Sequence, residues 1–296
     1  MAMATPMTLT WPIVLAVLFG AVLHAGWNAL VKSSGDKELD TALVHFLGSM
    51  VALPPLLLVG GPPNAALPFI GASLLIHIAY YVTLAGAYKH GDLGMTYPIM
   101  RGSAPLLVAL GSSMVLGESL STLAWAGVLG ITVGVALVGL SHPGEALHHR
   151  RALMFALANA VVIATYTFVD GKGVRLTVAQ GASALSYVLL LFVLDGFPYP
   201  AMVVLKRDAA GRRAILDYAK KRWPLAALGG AASIGSYAIA LWAMTRAPVA
   251  AVSALRETSV LFATLLGAWL LKERLGAQRL AGAGVIVAGV MALRFG

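Results

Sequence analysis

Ten stretches of mostly apolar residues, each long enough to cross a lipid bilayer as a helix, restrict what this chain can fold into. A helical span needs about 20 such residues. Short charged or Gly- and Pro-rich breaks separate the stretches. They lie at about 9–31, 39–59, 66–88, 93–115, 121–140, 151–171, 176–195, 223–245, 248–271 and 277–295. The pattern predicts an all-α polytopic membrane protein of ten transmembrane helices.

Composition supports lipid as the solvent for much of the surface. Hydrophobic residues make up 59% of the 296 positions and charged residues only 11%. A soluble domain carries about 25% charged residues. The chain has no cysteine, which excludes disulfides and thiolate metal sites. No Lys or Arg precedes Trp11, so we expect the first apolar stretch to remain as a span and not to be cleaved as a signal peptide.

The segment 196–222 is the only long polar stretch, and it holds seven Lys and Arg residues. It lacks the interleaved aromatic residues and the module of a nucleic-acid binder, so we expect no nucleic-acid partner. The segment predicts a basic cytoplasmic loop, with a short surface helix as an alternative, that faces anionic membrane lipid.

The distribution of positive charge predicts the topology. Loops after the odd-numbered spans hold fifteen of the 21 Lys and Arg residues, and the other side holds four. Arg101 and Arg256 lie inside spans. Because short cytoplasmic loops are enriched in Lys and Arg, the count places both termini on the periplasmic side.

The chain contains an internal repeat. At an offset of 155 residues, Arg101 aligns with Arg256 and Glu118 aligns with Glu273. The offset predicts two five-helix repeats, 1–145 and 146–296. Because five is an odd number, the two repeats must be inverted relative to each other in the membrane. Inverted repeats are typical of alternating-access transporters, which bind cargo near the midplane between the halves.

Several short motifs resemble those of the drug/metabolite transporter superfamily, in its ten-helix form with two EamA-type repeats. They are His24-Ala25-Gly26-Trp27-Asn28, Ala87-Tyr88-Lys89-His90-Gly91, Gly117-Glu118, Ala243-Met244-Thr245-Arg246-Ala247 and Lys272-Glu273-Arg274. Within it, the chain is most similar to bacterial exporters of aromatic and other neutral amino acids. The resemblance implies a multi-pass protein of the bacterial inner membrane that needs no cofactor. Such families are usually drawn with cytoplasmic termini, which the charge count contradicts.

Polar side chains within the spans are the candidates for contact with cargo, because they are costly in lipid. The candidate substrate-binding residues are His24, Trp27, Asn28, His77, Tyr80, Tyr81, Tyr97, Arg101, Tyr166, Tyr237, Arg256 and Glu257. They predict that spans 1, 3, 4, 6, 8 and 9 line a cavity. Spans 5 and 10 carry small residues instead, such as Ala126, Gly130 and Gly134, and should hold the halves together or form a homodimer face.

The two intramembrane arginines need partners that compensate for the free-energy cost of burying their charges. Each lies about 12 Å along its helix, near the bilayer centre. Arg101 has no acid in its own helix, so we expect its partner to be a backbone carbonyl, water or a substrate carboxylate. Arg256 is followed by Glu257, but adjacent helical residues point about 100° apart and pair poorly. A symmetric pair of bracing arginines is the structural alternative.

Other polar residues have structural interpretations. His45 fits hydrogen-bonded packing, and Glu118 and Glu273, at helix ends, fit hydrogen bonds to loop backbone.

Transport of aromatic and other neutral amino acids leads among the functions, and three alternatives stay open. Efflux of cationic drugs by proton exchange needs a buried acid, and the sixth span has none before Asp170. A membrane enzyme could use His90 with Asp92, or the cluster His142, His148 and His149. A passive channel is the third.

Overall fold

The computed structural model describes residues 7–91, 93–139, 149–271 and 276–296. Within these ranges the chain forms twelve α-helices, and a short 3₁₀ helix, Asn64–Ala66, precedes the third. The helices are α1 (Trp11–Lys32), α2 (Lys37–Val59), α3 (Leu67–His90), α4 (Leu93–Leu116), α5 (Thr122–Gly139), α6 (Arg150–Ala179), α7 (Ala184–Asp195), α8 (Pro198–Lys206), α9 (Ala209–Met244), α10 (Val249–Arg256), α11 (Ser259–Leu271) and α12 (Ala277–Phe295).

Ten helical segments have the length and apolar composition of membrane spans, which confirms the predicted all-α polytopic class. Helices α7 and α8 together form the seventh span. Helix α10 and the beginning of α11 form the ninth. The predicted boundary between the two repeats, at residue 145, lies outside the described residues.

The predicted long loop over 196–222 is wrong, because helices occupy most of that segment. Pro198 begins α8, where its fixed φ angle suits a first helical turn. The Asp208 side chain accepts a hydrogen bond from Gly211 N at 2.7 Å and caps α9, which then runs for 36 residues. Five of the seven basic residues therefore lie on α9, before its apolar part, which is closer to the surface-helix alternative.

Ion pairs fix the beginning of α2 against α8 and α9. Arg222 contacts Asp40 at 2.8 Å, and Arg207 contacts Asp36 at 2.7 Å. Burial disfavours the charged form of Asp36, but the hydrogen bonds from Arg207 and from the backbone of Leu39 and Glu38, together with the charge of Arg207, outweigh this effect and hold the pKa of that carboxyl below its usual value. Asp36 also caps α2 by accepting from Leu39 N at 2.9 Å.

Helix pairs pack in matching sets across the two halves. Helix α3 packs on α6, and α9, which lies 155 residues after α3, packs on α1. Helix α4 packs on α6, and α10 and α11 pack on α1. Two related halves that face each other would produce this matching.

Helices α5 and α12 form an extensive contact and, as predicted, join the halves through small residues. A Cβ atom at Gly289 of α12 would stand 2.8 Å from Ile131 N and 2.9 Å from Gly127 O of α5. One at Gly134 would stand 2.9 Å from Gly282 O. The glycines that the sequence analysis also offered as a homodimer face therefore lie in a contact within the chain.

We expect Gly289→Ala to destabilise the protein, because the added methyl group meets backbone atoms of α5. Overpacking of this kind costs about 1–3 kcal/mol. Gly284→Ala on the same helix is the matched control, because a Cβ atom there meets nothing within 4 Å. The midpoint of thermal unfolding in detergent should fall for Gly289→Ala and stay or rise for Gly284→Ala. Equal midpoints would contradict close packing of α5 on α12.

Candidate functional site

A buried ion pair joins the two halves of the chain. Arg101 Nε of α4 lies 2.7 Å from Glu257 Oε2, which follows α10. The two residues are only 7% and 3% exposed. The sequence analysis missed this partner: it expected a backbone carbonyl, water or a substrate carboxylate, whereas in this structure an acid of the second half faces Arg101.

The helix of the ninth span is interrupted where it supplies this acid. Helix α10 ends at Arg256 and α11 begins at Ser259, so Glu257 and Thr258 form a turn between them. The turn is closed by hydrogen bonds from Glu257 N to Ala254 O and from Thr258 N to Leu255 O. Interrupted helices are typical of cargo sites in transporters.

The ion pair leaves polar atoms without hydrogen bonds. Among the described residues, Arg101 Nε and Nη2 and Glu257 Oε2 are buried and have no partner with hydrogen-bond geometry. The 2.7 Å contact between Nε and Oε2 is thus a contact of opposite charges in poor alignment. Both groups retain hydrogen-bonding capacity that a bound molecule could use.

Aromatic rings from three helices lie near Arg101 or Arg256. His77 of α3 stacks on Tyr166 of α6 with ring centroids 4.7 Å apart, and Tyr80 meets Tyr166 edge-on at 6.4 Å. The Arg256 guanidinium lies over the Tyr237 ring of α9 at 5.1 Å.

Further predicted site residues lie within electrostatic reach of the same charges. The charges of Arg101 and Arg256 act electrostatically on the His24 imidazole. The charges of Arg101 and Glu257 act electrostatically on the Tyr97 hydroxyl group. The structure thus brings most of the predicted residues together in one region.

Tyr81 belongs to a second polar group. Its hydroxyl donates to Asp195 Oδ2 at 3.1 Å and lies 3.3 Å from His45 Nδ1. Its ring packs against Tyr199 at 4.8 Å. His45 therefore takes part in hydrogen-bonded packing, as predicted, and Tyr81 points to a different cluster from His77.

Trp27 and Asn28 also lie toward the edge of the site. Trp27 packs with a small apolar cluster that contains Leu43 and Ala226, although its ring also contacts His24 at 5.3 Å. The Asn28 amide donates to His24 O at 2.7 Å within α1.

Asp170 is a polar residue that the sequence analysis did not place in the site. The predicted sixth span ended at 171, but α6 continues to Ala179. Asp170 is therefore internal and fully buried. It accepts hydrogen bonds from Ser73 at 3.0 Å, from Tyr187 at 2.8 Å and from Tyr237. One feature of the sequence could have indicated that Asp170 belongs with the site residues: it lies one helical turn after Tyr166, on the same face of α6.

Glu118 has the structural role predicted for it. Its carboxylate accepts from Val249 N at 3.0 and 3.1 Å, at the beginning of α10, and from Arg175 Nη2 at 2.5 Å. Arg175 also donates from Nε to Met244 O at 2.7 Å. The contacts tie the loop after α4 to the second half, whereas Glu273 lies outside the described residues.

The residues considered for catalysis show no assembled centre in the described part of the chain. The His90 ring stacks on Phe155 at 5.7 Å. Asp92, His142 and His148 lie outside the described residues. Within the described ranges, no group of three His, Asp or Glu side chains could hold a metal ion.

Comparison with known proteins identifies the type of fold. Residues 150–295 match the model of the EamA-like transporter family. One solved crystal structure superposes with a TM-score of 0.70 at 19% sequence identity, over 95% of this chain and 98% of the other. No curated protein matches the sequence. At this identity the structural similarity establishes a shared fold alone.

We expect Arg101→Gln and Glu257→Gln each to destabilise the protein. Removing one partner of a buried ion pair costs about 3–5 kcal/mol, because the other charge stays buried and unpaired. The double variant should lose less than the sum of the two single losses. Thermal unfolding of all four proteins forms a double-mutant cycle.

Asp217→Asn is the control, because Asp217 and its partner Lys220 are 77% and 78% exposed, and it should leave the midpoint unchanged. Strictly additive losses in the cycle would show that Arg101 and Glu257 do not stabilise each other.

Proposed function

We propose that this chain is a multi-pass transporter that exports amphipathic metabolites, chiefly aromatic and other neutral amino acids. Its match to the EamA-like transporter family over residues 150–295 and its ten described helices able to span a membrane support transport of small molecules. The observation that carries the proposal is the buried pair of Arg101 and Glu257, whose polar atoms lack hydrogen bonds. We place this export in the bacterial inner membrane.

The pair offers complementary groups to the two charges of an amino acid. The Arg101 guanidinium can donate to a carboxylate through its unpaired N–H groups. The Glu257 carboxylate can accept from an ammonium group. Both contacts would replace an ion pair that is poorly aligned in the absence of cargo. This exchange offsets the cost of burying a zwitterion.

The surrounding rings suit an apolar or aromatic side chain. His77, Tyr80 and Tyr166 already pack on one another. Aromatic rings favour offset or edge-on contact with another ring, which adds about 0.5–1.5 kcal/mol beyond burial of area. Tyr97, Tyr237, Arg256 and His24 complete the proposed site, whereas Tyr81, Trp27 and Asn28 form its margin.

We propose that the units which move are the repeats 1–145 and 146–296, inverted relative to each other. Arg101 belongs to the first repeat and Glu257 to the second. Cargo that separates this pair would weaken one contact between the repeats, and the matching helix pairs support two related arrangements. The Lys and Arg count supports periplasmic termini.

Efflux of cationic drugs is the second candidate. The buried acid Asp170 favours it, because the sequence had placed this acid at the very end of the sixth span, whereas the structure buries it within α6. Against it, the charge of Glu257 is already neutralised by Arg101. Comparison of an amino acid with its decarboxylated amine separates the two candidates.

We expect Arg101→Gln to reduce transport of phenylalanine by about 10- to 100-fold in reconstituted liposomes. This follows from loss of a charge-assisted hydrogen bond worth about 1.5–3 kcal/mol. Transport of phenethylamine, which lacks the carboxylate, should be retained or increased, because Glu257 is then free to bind the ammonium group.

Arg256→Gln is the matched variant, because Arg256 is the counterpart of Arg101 in the repeat and lies over Tyr237. It should affect the two cargoes to a similar degree. Equal loss of both cargoes in Arg101→Gln would refute carboxylate recognition and leave a bracing role for Arg101.

We also expect His77→Leu to slow amino-acid transport while folded protein remains in the membrane, because the variant removes the ring that stacks on Tyr166. His90→Leu is the control on the same helix, since His90 stacks on Phe155 near the end of α3. Initial rates over a range of cargo concentrations should show a raised KM for His77→Leu alone. Unchanged kinetics would assign His77 to packing.

A further inference from the structure

Asp170 is a buried acid that the proposed cargo site does not use. Its side chain is fully buried in α6. Oδ1 accepts from Tyr187 at 2.8 Å, and Oδ2 accepts from Ser73 at 3.0 Å and from Tyr237. The three hydroxyl donors come from α7, α3 and α9, so four helices meet at one carboxyl group. Among the described residues, no Lys or Arg forms an ion pair with it.

Few other titratable groups face Asp170 from the packed helices. On α3, His77 lies one turn beyond Ser73, with its Nδ1 atom 3.4 Å from the Ser73 hydroxyl. On α6 itself, Tyr166 lies one turn before Asp170. From α7 and α9 the groups are the two tyrosine donors already named. The 3₁₀ helix Asn64–Ala66, which packs on α6, carries no titratable group.

The remaining charges act on neighbours of Asp170. Tyr166 experiences the electrostatic effect of three charged residues: Arg101 of α4, Arg256 at the end of α10, and Glu257 just after it. Arg175, farther along α6, is engaged with Glu118.

From this geometry we infer that Asp170 is a proton-binding site that couples cargo movement to a proton gradient, an inference that rests on the proposed transport function. Burial disfavours a bare carboxylate, while three hydroxyl donors favour it, so the site can hold either charge state. The proton comes from water on one face of the membrane, adds to a carboxylate oxygen, and leaves to water on the other face.

Protonation changes the hydrogen bonds around the carboxyl group. A carboxylate accepts only, whereas a carboxylic acid also donates through its new O–H group. A hydroxyl group that accepts from this new O–H group turns its own hydrogen away from the carboxyl group. The hydroxyl groups thus convert the charge of Asp170 into a change of contacts between α6 and its neighbours.

Tyr237 links this change to the cargo site. Its hydroxyl group donates to Asp170, and its ring lies under the Arg256 guanidinium at 5.1 Å. Arg256 immediately precedes Glu257, the partner of Arg101. A turn of Tyr237 away from Asp170 would remove the cation–π contact that holds Arg256, beside the ion pair that joins the halves.

We place the entry of the proton at a cavity whose wall includes chain neighbours of two of the donors. It has a volume of about 600 Å³ and lies where α6 ends, α7 begins and α9 ends. Ala184 in its wall is one turn from Tyr187, and Ala238 in its wall follows Tyr237. Ser183 and Arg246 provide polar lining. Neither the Asp170 group nor the Arg101–Glu257 pair lines this cavity.

Infrared difference spectra of the purified, cargo-free protein test proton binding without transport. As pH is lowered, the unmodified protein should gain the carbonyl band of a buried protonated carboxylic acid, displaced from the bands of its exposed acids, and Asp170→Asn should lack this displaced band. Asp195→Asn is the matched control, because Asp195 is also buried and accepts from Tyr81, and it should keep the band. Tyr237→Phe should keep the band but displace its titration. A band retained in Asp170→Asn, or no band at all, would overturn the proton site.

Liposomes that hold a pH-sensitive dye and labelled phenylalanine test the coupling. The unmodified protein should accumulate phenylalanine when a pH gradient is imposed, with matching proton movement. Asp170→Asn should still exchange labelled for unlabelled phenylalanine. With a pH gradient imposed, however, the phenylalanine concentration inside the liposomes should rise no higher than the concentration outside. Accumulation by Asp170→Asn as in the unmodified protein, or cargo movement without protons, would overturn the coupling. Failure of the unmodified protein to exchange any neutral amino acid would refute the proposed cargo, and the infrared titration would still decide the proton site.

Discussion

The interior of a bilayer offers no water to polar side chains, so each of them must find its partner within the protein. This constraint explains how the helices of this chain are held together. Asn159 of α6 donates to Tyr80 O and Thr83 Oγ1 of α3. Asp170 gathers hydroxyl groups from three other helices. Polar contacts of this kind connect helices that are distant in sequence, and the same contacts bring the candidate site together.

Two kinds of contact join the halves, and they differ in how easily they can be exchanged. Helices α5 and α12 meet through glycines at backbone distance, where no other side chain fits. The Arg101–Glu257 pair is instead poorly aligned and leaves polar atoms without hydrogen bonds. A transporter needs a fixed contact that keeps its halves together and an exchangeable one that responds to cargo. This chain has both, at separate places in the bundle.

The polar groups form a connected series from the centre of the bundle toward one end. The central pair lies beside Arg256, which rests on Tyr237. Tyr237 donates to Asp170, and Ala238, the next residue in the chain, lines a cavity near the end of α9. Each link is an ordinary contact, but together they allow a change of charge at Asp170 to reach the groups proposed to bind cargo. Tyr81, with Asp195 and His45, forms a separate cluster.

The sequence by itself determined the ten spans, the small-residue contact of the fifth span and the presence of two intramembrane arginines. Whether a helix can span the bilayer depends on its own length and apolar composition, so each span can be identified from its own stretch of sequence. Only the tertiary structure decided that Glu257 neutralises Arg101, that Asp170 gathers hydroxyl groups from three other helices, and that helices replace the expected loop over 196–222. Such pairings depend on how closely helices from opposite halves approach each other. That distance is set by packing over the whole bundle and has no signature in any single stretch of sequence.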